Sequence, residues 1–131
     1  MPSKILIIDD ELDIRIYLAA ALEDAGYETA ALGNEEPGLS AIAAINPDLI
    51  ILDIMMPGRS GISIYRELRA DERLKDTKVV LFSGMPLSRE ALSADFESLS
   101  GDDSLPPPQG FLEKPLNLDA LKNLIKKLLG T

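Results

Sequence analysis

The 131-residue chain contains no cysteine, so neither a disulfide framework nor a thiol nucleophile is available to it. It contains no histidine either, which excludes histidine-based catalysis and phosphotransfer through a histidine of its own. No uninterrupted apolar stretch reaches membrane-spanning length, and the N-terminus lacks the apolar centre of a signal peptide. A soluble, cytoplasmic protein with no membrane partner is therefore expected. Positive charge is scarce: 13 Lys and Arg stand against 22 Asp and Glu, a net charge of −9. A nucleic-acid surface needs a basic patch to neutralise phosphates, so this balance argues against nucleic acid as a partner. There is no internal repeat. The length suits one domain over 1–131 whose core needs no disulfide or structural metal.

What the chain does have is alternation. Short apolar runs rich in β-branched residues alternate with helical patterns from end to end, which indicates repeated βα units forming a parallel sheet with helices on both faces. The strands are expected at Lys4–Ile8, Tyr27–Ala31, the run ending at Asp53, Lys78–Ser83 and Gly110–Glu113. The run Leu49-Ile50-Ile51-Leu52 is apolar throughout, the mark of a central strand buried on both faces. Helices are expected over Glu11–Ala25 (Leu12, Leu18, Leu22 and Ala25 inward, Gly26 as the stop), Glu35–Ile45 with Pro37 in its first turn, and Gly61 to about Asp71. A last helix is expected over Leu118–Leu129, with Asn117 as N-cap and Leu121, Leu124, Ile125 and Leu128 inward.

Three of these strands end in charge. Asp9-Asp10 follows the first, Asp53 ends the central one just before Met56-Pro57-Gly58, and Lys114-Pro115 follows the last. If the strands are parallel neighbours, these ends converge on one edge, where open α/β sheets bind their ligands. Clustered carboxylates repel one another unless a cation sits among them. Oxygen-only ligands suit a hard ion such as Mg²⁺ rather than zinc. A lysine nearby supplies positive charge to a phosphate-like group. Acids, metal and lysine around one carboxylate make a site for phosphoryl transfer onto that carboxylate.

These residues, with Ser83 ending the fourth strand, resemble the receiver domain of a two-component response regulator from about Lys4 to Leu129. The resemblance implies a doubly wound, flavodoxin-like α/β fold with a five-stranded parallel sheet in the order 2-1-3-4-5, which the alternation and the charged strand ends support. It also implies a phosphorylation-switched signalling domain. Asp53 would accept a phosphoryl group from a sensor histidine kinase or a phosphotransfer protein. Asp10, helped by Asp9, would hold Mg²⁺ together with Asp53 and the backbone carbonyl of Met55. Ser83 would hydrogen-bond the phosphoryl group, Lys114 would pair with it, and Phe111 falls where the family carries its aromatic switch residue. Such a domain catalyses only its own phosphorylation and dephosphorylation. It signals by docking to a downstream protein or, once phosphorylated, to a second copy of itself. With no DNA-binding or enzymatic domain after Thr131, docking to other proteins is the expected output; the alternative reading is the receiver part of a longer protein.

One segment departs from the family pattern. The stretch between Ser83 and Lys114 is long, with a helix expected over Ser88–Leu99 and then an extended, proline-bearing loop at 100–110. A tolerated surface insertion is the simpler reading; a partner-docking loop is the sharper one. Two other functions fit less well. An FMN carrier of the same sheet order needs a phosphate loop after the first strand, where Asp9-Asp10-Glu11 would repel an anion. An aspartate-nucleophile phosphatase carries Asp-x-Asp there, whereas these acids are adjacent.

Overall fold

In the computed structural model of the protein, the residues described are 3–33, 38–54, 61–83, 108–113 and 117–130. The elements run β1 (Lys4–Ile8), α1 (Leu12–Asp24), β2 (Glu28–Leu32), α2 (Leu39–Ile45), β3 (Leu49–Asp53), α3 (Gly61–Ala70), β4 (Lys78–Ser83), β5 (Gly110–Glu113) and a C-terminal helix (Leu118–Leu129). The five strands form one sheet in the order β2-β1-β3-β4-β5, and every pairing is parallel.

The alternation of side chains along each strand divides the core in two. Ile5 and Ile7 of β1, Leu49 and Ile51 of β3, and Val80 and Phe82 of β4 pack with Leu18 and Leu22 of α1 and Leu121 and Ile125 of the C-terminal helix. The intervening residues Leu6, Ile8, Ile50, Leu52, Val79 and Leu81 pack with Ile42 of α2 and Ile62, Tyr65 and Leu68 of α3. All five residues of β3 are buried, because helices cover both of its faces. Each Leu or Ile removed from water in this way contributes about 1.5–3 kcal/mol.

The helix ends follow local chemistry. Asn117 Oδ1 accepts from the amide of Ala120 at 3.1 Å and so caps the C-terminal helix as expected. Asn46 closes α2 in the left-handed conformation (φ 53°), ahead of Pro47. Two expectations need correcting. The second helix begins at Leu39 rather than Glu35, since Gly38 is its N-cap with extended backbone (φ −70°, ψ 150°). The inward face of α1 is narrower than expected: Leu12 is 58 % exposed, because it lies about a third of a turn away from the stripe that Leu18 occupies, and Ala25, the C-cap beyond the last helical residue, is exposed too. The expected helix at 88–99 and most of the 100–110 loop lie outside the described residues.

The far end of that long segment is pinned. Gln109 exchanges hydrogen bonds with Val79: its side chain accepts from the Val79 amide at 2.8 Å, and its own amide donates to the Val79 carbonyl at 3.0 Å. Arg69 at the end of α3 ties the same region together, donating to the carbonyls of Lys75 (3.0 Å) and Thr77 (2.7 Å) and to Gln109 Oε1 (3.1 Å). No helix among the described residues is long and apolar enough to cross a membrane.

Candidate active site

The site forms where β1 and β3 leave the sheet side by side. Ile8 pairs with Leu52, so extending that register by one residue sets Asp9 beside Asp53. Asp9 and Asp53 are both fully buried, and Asp10 is partly exposed. Each of the three offers a carboxylate oxygen, and these oxygens lie within 4.8 Å of one another. The sequence thus foretold the convergence of the Asp9-Asp10 pair with Asp53, which lies 43 residues beyond Asp10. Three hard oxygen donors of like charge, with no nitrogen or sulfur among them, fit Mg²⁺ or a similar divalent cation.

Backbone contacts hold the acid pair. The Asp9 amide donates to the carbonyl of Leu32 at 3.2 Å, past the end of the β1–β2 ladder. Asp9 Oδ1 accepts from the Glu11 amide at 2.8 Å, a tight turn that leads the chain into α1. Among the described residues no donor hydrogen-bonds its other oxygen, Oδ2, which is also buried. Arg15 Nη1 reaches back from α1 to the Asp9 carbonyl at 2.6 Å.

Asp53 is held from the other side. It pairs with Phe82, and the next amide, that of Ile54, continues the ladder to the Phe82 carbonyl at 3.0 Å. The chain then returns at Gly61, whose amide donates to the carbonyl of Ile54 at 3.0 Å. A side chain at Gly61 would collide with the Asp53 carbonyl, so glycine is what lets α3 start against the backbone of the acid.

The remaining expected site residues are described in part. Ser83 ends β4, one residue beyond the partner of Asp53, and is in register with Glu113 of β5. Phe111 is only 8 % exposed and belongs to the core layer of α2 and α3. Lys114 follows Glu113 directly in the chain but, like Met55 and Met85, lies outside the described residues. Arg15 and Gly61 escaped sequence reasoning as parts of the site. The available signals were weak: a cation two residues beyond the last of four acids, and a glycine opening a helix just after a strand-end turn.

Comparison with known proteins agrees with this geometry. The family model described as response regulator receiver domain matches residues 5–99. The phosphate regulon transcriptional regulatory protein PhoB of Pseudomonas aeruginosa is 44% identical over 79 residues, which is 60% of this chain and 34% of the relative. This chain spans about a third of the length of the first curated relatives it matches. Sporulation initiation phosphotransferase F of Bacillus subtilis is 28% identical over 130 residues, covering 98% of this chain and 95% of the relative. Among solved structures, the response regulator TrrA of Thermotoga maritima, in complex with Mg(2+)-BeF, is 35% identical with a TM-score of 0.75, covering 96% of this chain and 98% of the other.

Proposed function

Because this chain belongs to the response regulator receiver domains, the phosphorylation-switched signalling domains of two-component systems, we propose that Asp53 is its phosphoacceptor. The observation that carries this reading is the gathering of Asp9, Asp10 and Asp53 at one end of two adjacent parallel strands. A buried carboxylate flanked by two more is a poor structural choice and a good cation site.

Asp9, Asp10 and Asp53, with the backbone carbonyl of Met55, would hold Mg²⁺, which when bound neutralises oxygens of the transferred group. In the transfer, a carboxylate oxygen of Asp53 bonds to phosphorus as the bond from phosphorus to the donor's imidazole nitrogen breaks. The imidazole then takes a proton from solvent, and an acyl phosphate remains on Asp53. Ser83 would donate a hydrogen bond to a phosphoryl oxygen, and Lys114 would offset the charge of another. The register supports both roles, since Ser83 and Glu113 are paired at the strand ends next to Asp53. Phe111 would respond to the shift at Ser83.

Receiver domains interact with histidine kinases or phosphotransfer proteins, and one of these would be the donor. The domain spanning 1–131 would catalyse only its own phosphorylation and dephosphorylation, and would signal by docking to a protein target or to a second phosphorylated copy. Similarity to TrrA, solved with Mg(2+)-BeF, supports the Mg²⁺ assignment. The test is intact mass after incubation with a small phosphodonor and Mg²⁺. The parent should gain one phosphoryl group and Asp53→Asn should gain none; equal labelling of the two would sink the assignment.

A further inference from the structure

The backbone groups of Asp9 are held on both sides. Its N–H donates to Leu32, and its carbonyl accepts from Arg15 Nη1 at 2.6 Å. The carbonyl that Arg15 grips belongs to the peptide joining Asp9 to Asp10. Fixing that oxygen fixes the plane from which both carboxylates hang. Arg15 is itself seated: it lies against Gly33 at the end of β2, where an added Cβ would stand 3.1 Å from Nη1. A guanidinium is a rigid, permanently charged donor, and its hydrogen bond to a carbonyl is among the stronger kinds.

We infer that Arg15 is a positioning residue for the metal-binding acids, locking the Asp9–Asp10 peptide so that both carboxylates face Asp53 before the ion arrives. This rests on the Mg²⁺ reading above and deepens it. Contacts that orient metal ligands typically govern metal affinity by about 10–100-fold. The sign separates this role from a charge effect. A positive charge beside the site opposes a cation, so removing Arg15 would tighten Mg²⁺ binding if charge were its main influence. Loss of orientation weakens binding instead.

The experiment measures Mg²⁺ dissociation constants by titration calorimetry on the full chain, for the parent, Arg15→Ala, Arg15→Lys and Gly33→Ala. Hydrogen exchange is followed in the metal-free proteins alongside. Arg15→Ala should weaken Mg²⁺ about tenfold, and Arg15→Lys should recover part of the loss. Gly33→Ala, which pushes the guanidinium without removing it, should weaken binding in the same direction but less. It also keeps the test alive if Arg15→Ala does not fold. The amides of Asp9 and Glu11 should exchange faster in Arg15→Ala while that of Ile51 in the core keeps its protection. Unchanged or tighter Mg²⁺ binding in the variants, with normal binding in the parent, overturns this inference alone. Absence of Mg²⁺ binding in the parent overturns the metal reading and this inference with it.

Discussion

Gly61 lies so close to Asp53 that a Cβ on the glycine would overlap the carbonyl oxygen of the acid. The atoms in the way are backbone, including the carbonyl carbon of Asp53 and the Cα of Ile54, so no side-chain rotation relieves the clash. Gly61→Ala should therefore destabilise the fold by about 1–3 kcal/mol, the usual cost of overpacking. It should also displace Asp53 and slow its phosphorylation. Denaturant midpoints and phosphodonor labelling check both; a variant that matches the parent in each would refute the close approach.

Mg²⁺ should raise the melting temperature. The three carboxylates repel one another without a cation, and an ion that binds only the folded form stabilises it by about 2.7 kcal/mol at a hundred times its dissociation constant. The shift should shrink in Asp10→Asn. Thermal melts at increasing Mg²⁺ decide, and a parent melt that stays flat would argue against any metal site.

Much of this was legible in the sequence, for reasons that can be named. Strands β1, β3 and β4 announce themselves because burial on both faces requires apolar residues at every position, as in Leu49–Leu52. The acids could be assigned to one site because parallel βα repeats put successive strand ends on the same edge. What escaped depends on contacts between elements. Nothing local tells that Arg15 turns back to a carbonyl of β1's end rather than out to solvent. Nothing local tells that Gly61 is needed for space rather than for its backbone angles. Leu12 was misread because one apolar residue at a helix start satisfies either side of the helix.

Alkaline pH should reveal Tyr65. It is fully buried, its hydroxyl accepts from Arg69 Nε at 3.0 Å, and the guanidinium sits 4.7 Å above its ring. Burial pushes the phenol above the ordinary tyrosine value of 10.0, while the hydrogen bond and charge of Arg69 pull the other way. The folded state thus keeps this proton to higher pH than the unfolded chain does. The resulting stability is complete below the unfolded value and is lost as pH rises through the folded one. As pH rises above about 10 the parent should lose more stability than Tyr65→Phe. Parallel losses in the two proteins would show that Tyr65 is not the group responsible.

Phosphorylation should shift a population at Phe111 rather than build a new element. The ring is already mostly buried in the unphosphorylated chain, so a beryllium fluoride adduct at Asp53 should narrow its motion to the inward rotamer. Side-chain NMR of Phe111 with and without the adduct checks this. Identical spectra would disconnect Phe111 from Asp53.

The acyl phosphate should be long-lived. Hydrolysis needs a water aligned behind phosphorus, and a side chain able to hydrogen-bond that water lowers the barrier. The residues two after Asp53 and two after Ser83 are Met55 and Met85, which offer neither a good donor nor a good acceptor. Met55→Asn combined with Met85→Glu should speed decay of the phosphoprotein. Decay at the parent's rate would show that these side chains do not govern the lifetime.

The two-layered core has a consequence for how such a domain passes on a message. Asp53 shares its strand parity with Leu49 and Ile51, which face α1 and the C-terminal helix, whereas Phe111 faces α2 and α3. The proposed phosphoacceptor and the proposed switch residue would therefore sit on opposite sides of a wall, and the wall is the sheet. Phe82 of β4 stands between them, in register with Asp53 on one flank and with Leu112 on the other. If Phe111 answers to Asp53 as proposed, the signal would have to cross that single strand. On that reading, softening β4 would uncouple Phe111 from Asp53 without removing the acids that gather at the strand ends.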